Sequence, residues 1–220
     1  MNEFEPNDLY IMLVRPGETD LDQQGRIMGT LDVPLNETGQ QQIAAMNNEV
    51  AHFPITVVYS GPGMASLETA KLMLDGRDIK IRSEDDLRNL DYGLWHGKRI
   101  DELKETQPKL FKQWLDHPET VCPPDGETVE SVTERAERVL KRIQKKHKTG
   151  VVAIVVPEPI ACIIRGLLHV DSENKWHVSG NCGSFENICV NWRQQALRSS
   201  PGAWALLPER QRRGLLGFLV

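Results

Sequence analysis

Few residues in this chain are placed to do chemistry, and the clearest of them follow apolar runs. Arg15 closes one run in YIMLVRPGETD, and Glu158 follows another in VVAIVVPEPI. A guanidinium at a strand end can hold an anion through charge-assisted hydrogen bonds. Beside a desolvated carboxylate it becomes half of an ion pair in which each charge needs the other. Both readings of Arg15 stand, with pairing to Glu158 across adjacent strand ends preferred. His96, in LWHGK, could act as an acid or base, and the plainer reading is a polar loop histidine. Cys162 lies one turn into IACIIRGLL, where a thiolate nucleophile is conceivable and a buried core cysteine is simpler. His169 and His177 read as surface or packing residues.

These groups need a scaffold. Asp8–Arg15, Thr56–Ser60, Ile79–Arg82 and Val151–Val156 read as strands, and ENICVNW as a last one. Helices are expected over Thr38–Asn48, Met64–Leu74, Ile100–His117 with a break near Pro108, Thr128 to about Lys148, and Pro159–His169. Thr128 can cap its helix, with Glu130 and Glu134 suited to the first turns. Pro159 suits a first helical turn, where its missing N–H is no loss. The alternation predicts an α/β fold with three layers, α/β/α, around a mainly parallel sheet. Ligands of such sheets bind beyond the carboxyl ends of the strands, where RPGET, SGPG and PEPI fall.

The length of 220 residues suits one such domain, taken as 1–193, with an extension over 194–220. In that extension a docking tail and partial disorder are both open. The net charge of −5 gives no reason to expect nucleic acid or a membrane surface as partner. The acidic start MNEFEPNDLY reads as neither a secretory nor a transit signal, so none is expected, and no apolar stretch approaches the roughly 18 residues of a membrane span. Cys122, Cys162, Cys182 and Cys189 form no C-x-x-C pair, so neither a metal nor a cofactor is expected. Reduced thiols and a cytoplasmic location are the expectation. The basic run KRIQKKHK reads as a solvated helix end or, alternatively, as a patch for an acidic partner.

Six stretches, taken together, carry a resemblance: LVRPGETD, GRIMGTLDVPLNETGQQQ, YSGPGMASLETA, LRNLDYGLWHGK, PPDGETVESVTERAERVL and NCGSFENICV. In this order they resemble the histidine phosphatase superfamily, in its phosphoglycerate mutase-like branch, from roughly Tyr10 to Trp192. The resemblance implies a histidine nucleophile in an Arg-His-Gly triplet after the first strand. It implies two arginines and a second histidine around the phosphoryl oxygens, and a carboxylic acid that protonates the leaving alcohol. Here the triplet is Arg15-Pro16-Gly17. The second arginine falls on Ala65, the acid on Asn89 and the second histidine on Pro157, with Glu158 and Pro159 where glycines usually follow. Arg26 and Thr30 lie in the loop that covers the site in the family and are weaker ligand contacts.

An amide-bound proline nitrogen has no lone pair to offer phosphorus, and asparagine has no proton to give at working pH. The expectation is a pseudoenzyme with a binding, regulatory or scaffolding role, holding an anionic small molecule or a protein partner. The alternative is a phosphomonoesterase or phosphoglycerate mutase-type enzyme with a changed, non-phosphohistidine mechanism, using His96 and water. A further rival acts on a non-phosphate substrate. Pro16, Pro157 and Pro159 should stiffen the strand ends into a closed floor. An enzyme should show an open cleft with convergent titratable groups. A scaffold should show a filled pocket and an apolar patch elsewhere.

Overall fold

Continuous apolar strands need cover on both faces, and the fold supplies it. In the computed structural model, which describes residues 7–116, 120–168 and 181–190, five strands form one sheet. They are β1 (Leu9–Val14), β2 (Ile55–Ser60), β3 (Ile81–Ser83), β4 (Gly150–Val155) and β5 (Phe185–Val190), in the spatial order β3-β2-β4-β1-β5. The first four run parallel. β5 is antiparallel to β1, with Phe185 opposite Val14 and Val190 opposite Leu9. The helices among the described residues are α1 (Asp20–Gln23), α2 (Glu37–Val50), α3 (Met64–Leu72), α4 (Ile100–Thr106), α5 (Pro108–Asp116), α6 (Val129–Lys146) and α7 (Ile160–Leu167).

Successive side chains of β1 enter two different cores. Leu9, Ile11 and Leu13 join one, and Met12 and Val14 the other, as the two-residue period of a strand requires. The first core is closed by Val132, Ala136, Val139 and Ile143 of α6 and by Ile160 and Ile164 of α7. The second is closed by Ile43, Met46 and Val50 of α2 with Ala65 and Ala70 of α3. The molecule is therefore a three-layer α/β fold. Thr128 caps α6 as expected, accepting from Ser131 N at 3.2 Å. Asn36 does the same for α2, accepting from Gly39 N at 2.8 Å.

Several boundaries differ from expectation. β3 begins two residues later than the apolar pattern suggested, and α3 stops at Leu72. Pro159 is the N-cap of α7, one position before the first helical residue. The Pro108 break is present, with Gln107 between α4 and α5. His169, His177 and the extension 194–220 lie outside the described residues. No helix among the described residues is long and apolar enough to cross a membrane.

One close crossing shapes the site. The RPGET turn lies directly on the start of α2, so that a Cβ on Gly17 would come 2.5 Å from Gly39 O. A Cβ on Gly39 would in turn collide with the Glu18 carbonyl. Glycine at both positions is what lets the two backbones meet.

Candidate functional site

Beyond the carboxyl ends of β1, β2 and β4 the surface opens into a cleft with two lobes. The larger is about 480 Å³ and takes in Arg15, Glu18, Arg26, Tyr92 and Glu158. The smaller is about 260 Å³ and takes in Thr30, Leu31, Met64 and Ala65. Pro16, Met28, Gly29, Asn89 and Pro157 line both lobes, so the two prolines and the asparagine mark the neck. The larger lobe alone falls in the usual size range of a small-molecule site, about 300–1,000 Å³.

Arg15 enters this cleft already paired. It is 3% exposed, and its Nε donates to Glu158 Oε1 at 2.6 Å. Its Nη2 donates to Glu186 Oε1 at 3.1 Å, and Arg165 Nε lies 3.1 Å from the second oxygen of Glu186. Two guanidinium groups thus face two carboxylates, and the cluster is neutral. Burial alone would lower the Arg15 pKa, but Glu158 and then Glu186 more than offset this and hold it raised. Glu158 is fixed from its other side too, its Oε2 accepting from Cys162 N at 3.0 Å. Of the two readings of Arg15, the geometry is that of the pair with Glu158. Glu186 and Arg165 complete it, and neither was visible beforehand, because they arrive from β5 and α7.

Asn89 is 6% exposed, and its Oδ1 has no hydrogen-bond partner among the described residues. The loop that carries it is held by Arg135 of α6, which donates to the carbonyls of Asp86, Arg88 and Asn89 and to Glu127 Oε1. Arg135 was also missed. A signal for it existed: it falls three residues after Val132, on the buried stripe of a helix whose other charges face outward.

Three further candidates are each held by their surroundings, His96 as a loop histidine and Cys162 as a core cysteine, the plainer reading of each. His96 lines neither lobe. Its Nε2 accepts from Thr30 N at 3.1 Å and Tyr92 N at 3.2 Å, so the lone pair an acid–base role would need is engaged, and the ring proton belongs on Nδ1. The ring braces two loops, and it fits only because Gly29, at φ +53°, has no Cβ to collide with it. Arg26 lines the larger lobe, but its Nη1 is tied to Gly97 O at 2.6 Å and its Nε to Gln24 at 2.9 Å. Cys162 behaves as a core cysteine: burial, then the Glu158 carboxylate, push its thiol up to about 12. Thr30 and Ala65 do reach the cleft, both in the smaller lobe.

Neither expected signature appears whole. The cleft is open rather than filled, and the exposed apolar side chains Leu31 (39%) and Met64 (40%) line the smaller lobe itself. Of the cleft's charged groups, however, Arg15 and Glu158 are paired with each other, and Arg26 is held by Gly97 and Gln24. Among the described residues, no group of three or more His, Cys, Asp or Glu side chains could hold a metal ion.

With this geometry, comparison with known proteins gives a consistent picture. The sequence profile of the histidine phosphatase superfamily (branch 1) matches residues 11–199. Phosphoserine phosphatase 1 of Hydrogenobacter thermophilus is 28% identical over 188 residues, 85% of this chain and 89% of the relative. Adenosylcobalamin/alpha-ribazole phosphatase of Salmonella typhimurium is 25% identical over 199 residues, 89% of this chain and 98% of the relative. Among solved structures, the alpha-ribazole phosphatase from Shigella flexneri superposes with a TM-score of 0.74 at 20% identity, covering 84% of this chain and 92% of that one; this likeness speaks for the fold alone. A β-sheet of this order, a cleft at the carboxyl ends of its parallel strands and a match over most of the sequence agree: the chain belongs to the histidine phosphatase superfamily, branch 1.

Proposed function

We propose that this protein binds a ligand in its cleft without forming a phosphohistidine, and that it serves as a binding or regulatory member of a family of phosphatases. One observation carries the reading. Pro16 and Pro157, where the resemblance places the two histidines, sit at the ends of neighbouring parallel strands and line both lobes of the cleft. Neither has a nitrogen that can attack phosphorus or hold a phosphoryl oxygen. The remaining parts support the same reading. Arg15 is neutralised by Glu158 and Glu186, Asn89 has no proton to donate to a leaving group, and His96 is occupied by backbone N–H groups. The cleft itself remains open and of ligand size, which supports binding over pure scaffolding.

A second reading is favoured by the relatives, several of which are named phosphatases. It is phosphomonoester hydrolysis by water, without a covalent intermediate. The two part in one experiment: purified protein is incubated with a broad panel of phosphomonoesters, and released phosphate and acid-labile phosphoprotein are both measured. The expected result is no phosphate above buffer and no labelled protein. Turnover that persists through purification and disappears in Asn89→Ala would establish the hydrolytic reading in its place.

A further inference from the structure

The two lobes of the cleft differ in charge as well as size. Three carboxylates line the larger one, Glu18, Asp22 and Glu158, against the guanidinium groups of Arg15 and Arg26. Arg15 is balanced within its own cluster. Glu18 and Asp22 have no cationic partner among the described residues. Glu18 Oε1 accepts from Asn36 Nδ2 at 2.8 Å, and Asp22 Oδ2 accepts from the backbone and hydroxyl of Thr19. The Cys182 thiol on the wall of this lobe is pushed up to about 12 by burial and then by Asp22 and Glu18, and the Tyr92 phenol is raised by burial and then by Glu158. The smaller lobe is mostly apolar, with Met28, Leu31, Met64 and Ala65 on its wall, and its two charged lining residues, Asp32 and Arg88, are of opposite sign. At the neck stands Asn89, more than nine-tenths buried, with a carbonyl oxygen that lacks a donor among the described residues.

We infer that the ligand of this cleft is an organic ammonium with an apolar body. The protonated amine lies in the larger lobe in the field of Glu18 and Asp22, an N–H meets Asn89 Oδ1 at the neck, and the body fills the smaller lobe. This rests on the non-catalytic reading above and names the ligand class of the same site. It reverses the anionic ligand that Arg15 suggested in the sequence, because the charge of Arg15 is balanced by Glu158 and Glu186, and outside that cluster the lobe sets two carboxylates, Glu18 and Asp22, against one guanidinium, Arg26.

Titration calorimetry of the full chain at neutral pH tests it with three probes sharing one body: benzylamine, benzyl alcohol and benzyl phosphate. Benzylamine binds tightest and benzyl phosphate weakest. Glu18→Gln weakens benzylamine roughly fivefold, the upper range for one partly exposed charge pair, and leaves benzyl alcohol unchanged. Arg26→Gln strengthens benzylamine, a direction that damage to the fold would not produce. Benzyl phosphate binding as tightly as the amine, equal affinity for all three, or no detectable binding of the amine would each overturn the inference. The same samples are analysed for benzyl alcohol released from benzyl phosphate. Its release would refute the non-catalytic reading, while the affinity order still decides the ligand class by itself.

Discussion

Arg15 keeps the residue type that the family uses for phosphate, yet two carboxylates now surround it. Removing one member of a buried pair leaves the others uncompensated, which costs about 3–5 kcal/mol, whereas replacing a pair together by apolar groups is close to neutral. Arg15→Met should therefore lower unfolding stability by roughly that amount, and Arg15→Met combined with Glu158→Leu should recover much of it. Urea denaturation of the two variants measures the difference. Equal losses in both would mean that Glu158 is not the partner that matters. The pair was legible in the sequence because both residues follow the strongest apolar runs in the chain. Glu186 was not, because its place beside Arg15 depends on the direction of β5, which a strand pattern does not encode.

At the scale of elements, α6 does more than its apolar stripe suggests. Its body carries Arg135 to the Asn89 loop, and its C-cap, His147, reaches Tyr59 of β2, ring nitrogen to phenol oxygen, at 3.0 Å. Burial, then Lys146 and Arg82, lower the His147 pKa below its ordinary 6.5. As pH falls through that ordinary value, the unfolded chain takes up a proton that the folded chain resists, so stability drops. Denaturation midpoints between pH 5 and 8 should decline on the acid side, and His147→Gln should flatten that decline. An unchanged slope in the variant would place the acid sensitivity elsewhere. The helix itself was legible from Thr128 and the apolar spacing. Arg135 was hidden among the other charges of VESVTERAERVLKRIQKK, where only its register with Val132 distinguishes it.

For the whole molecule, the architecture was legible and the state of the cleft was not. VVAIVV and YIMLV, apolar without alternation, already require helices on both faces, and the two cores meet that requirement. Whether prolines at two strand ends close a pocket or merely line one depends on the loops opposite, here the Gly29–Leu31 segment and the Asn89 turn, and no local pattern fixes their distance. The ion cluster joining β1, β4, β5 and α7 also bears on any attempt to install a phosphohistidine site. On the non-catalytic reading, placing histidines at Pro16 and Pro157 is not enough for phosphoryl transfer. The combined variant Pro16→His, Pro157→His, Ala65→Arg and Asn89→Glu should remain inactive on phosphomonoesters while Glu158 occupies Arg15, and activity should require Glu158→Gly as well. Taken first, that last step strips a buried guanidinium of its nearest counter-charge, so the intermediate is less stable than either end. The Arg15–Glu158 pair would act as a latch: while it is closed the guanidinium stays committed, and opening it by changing one partner alone runs uphill in stability.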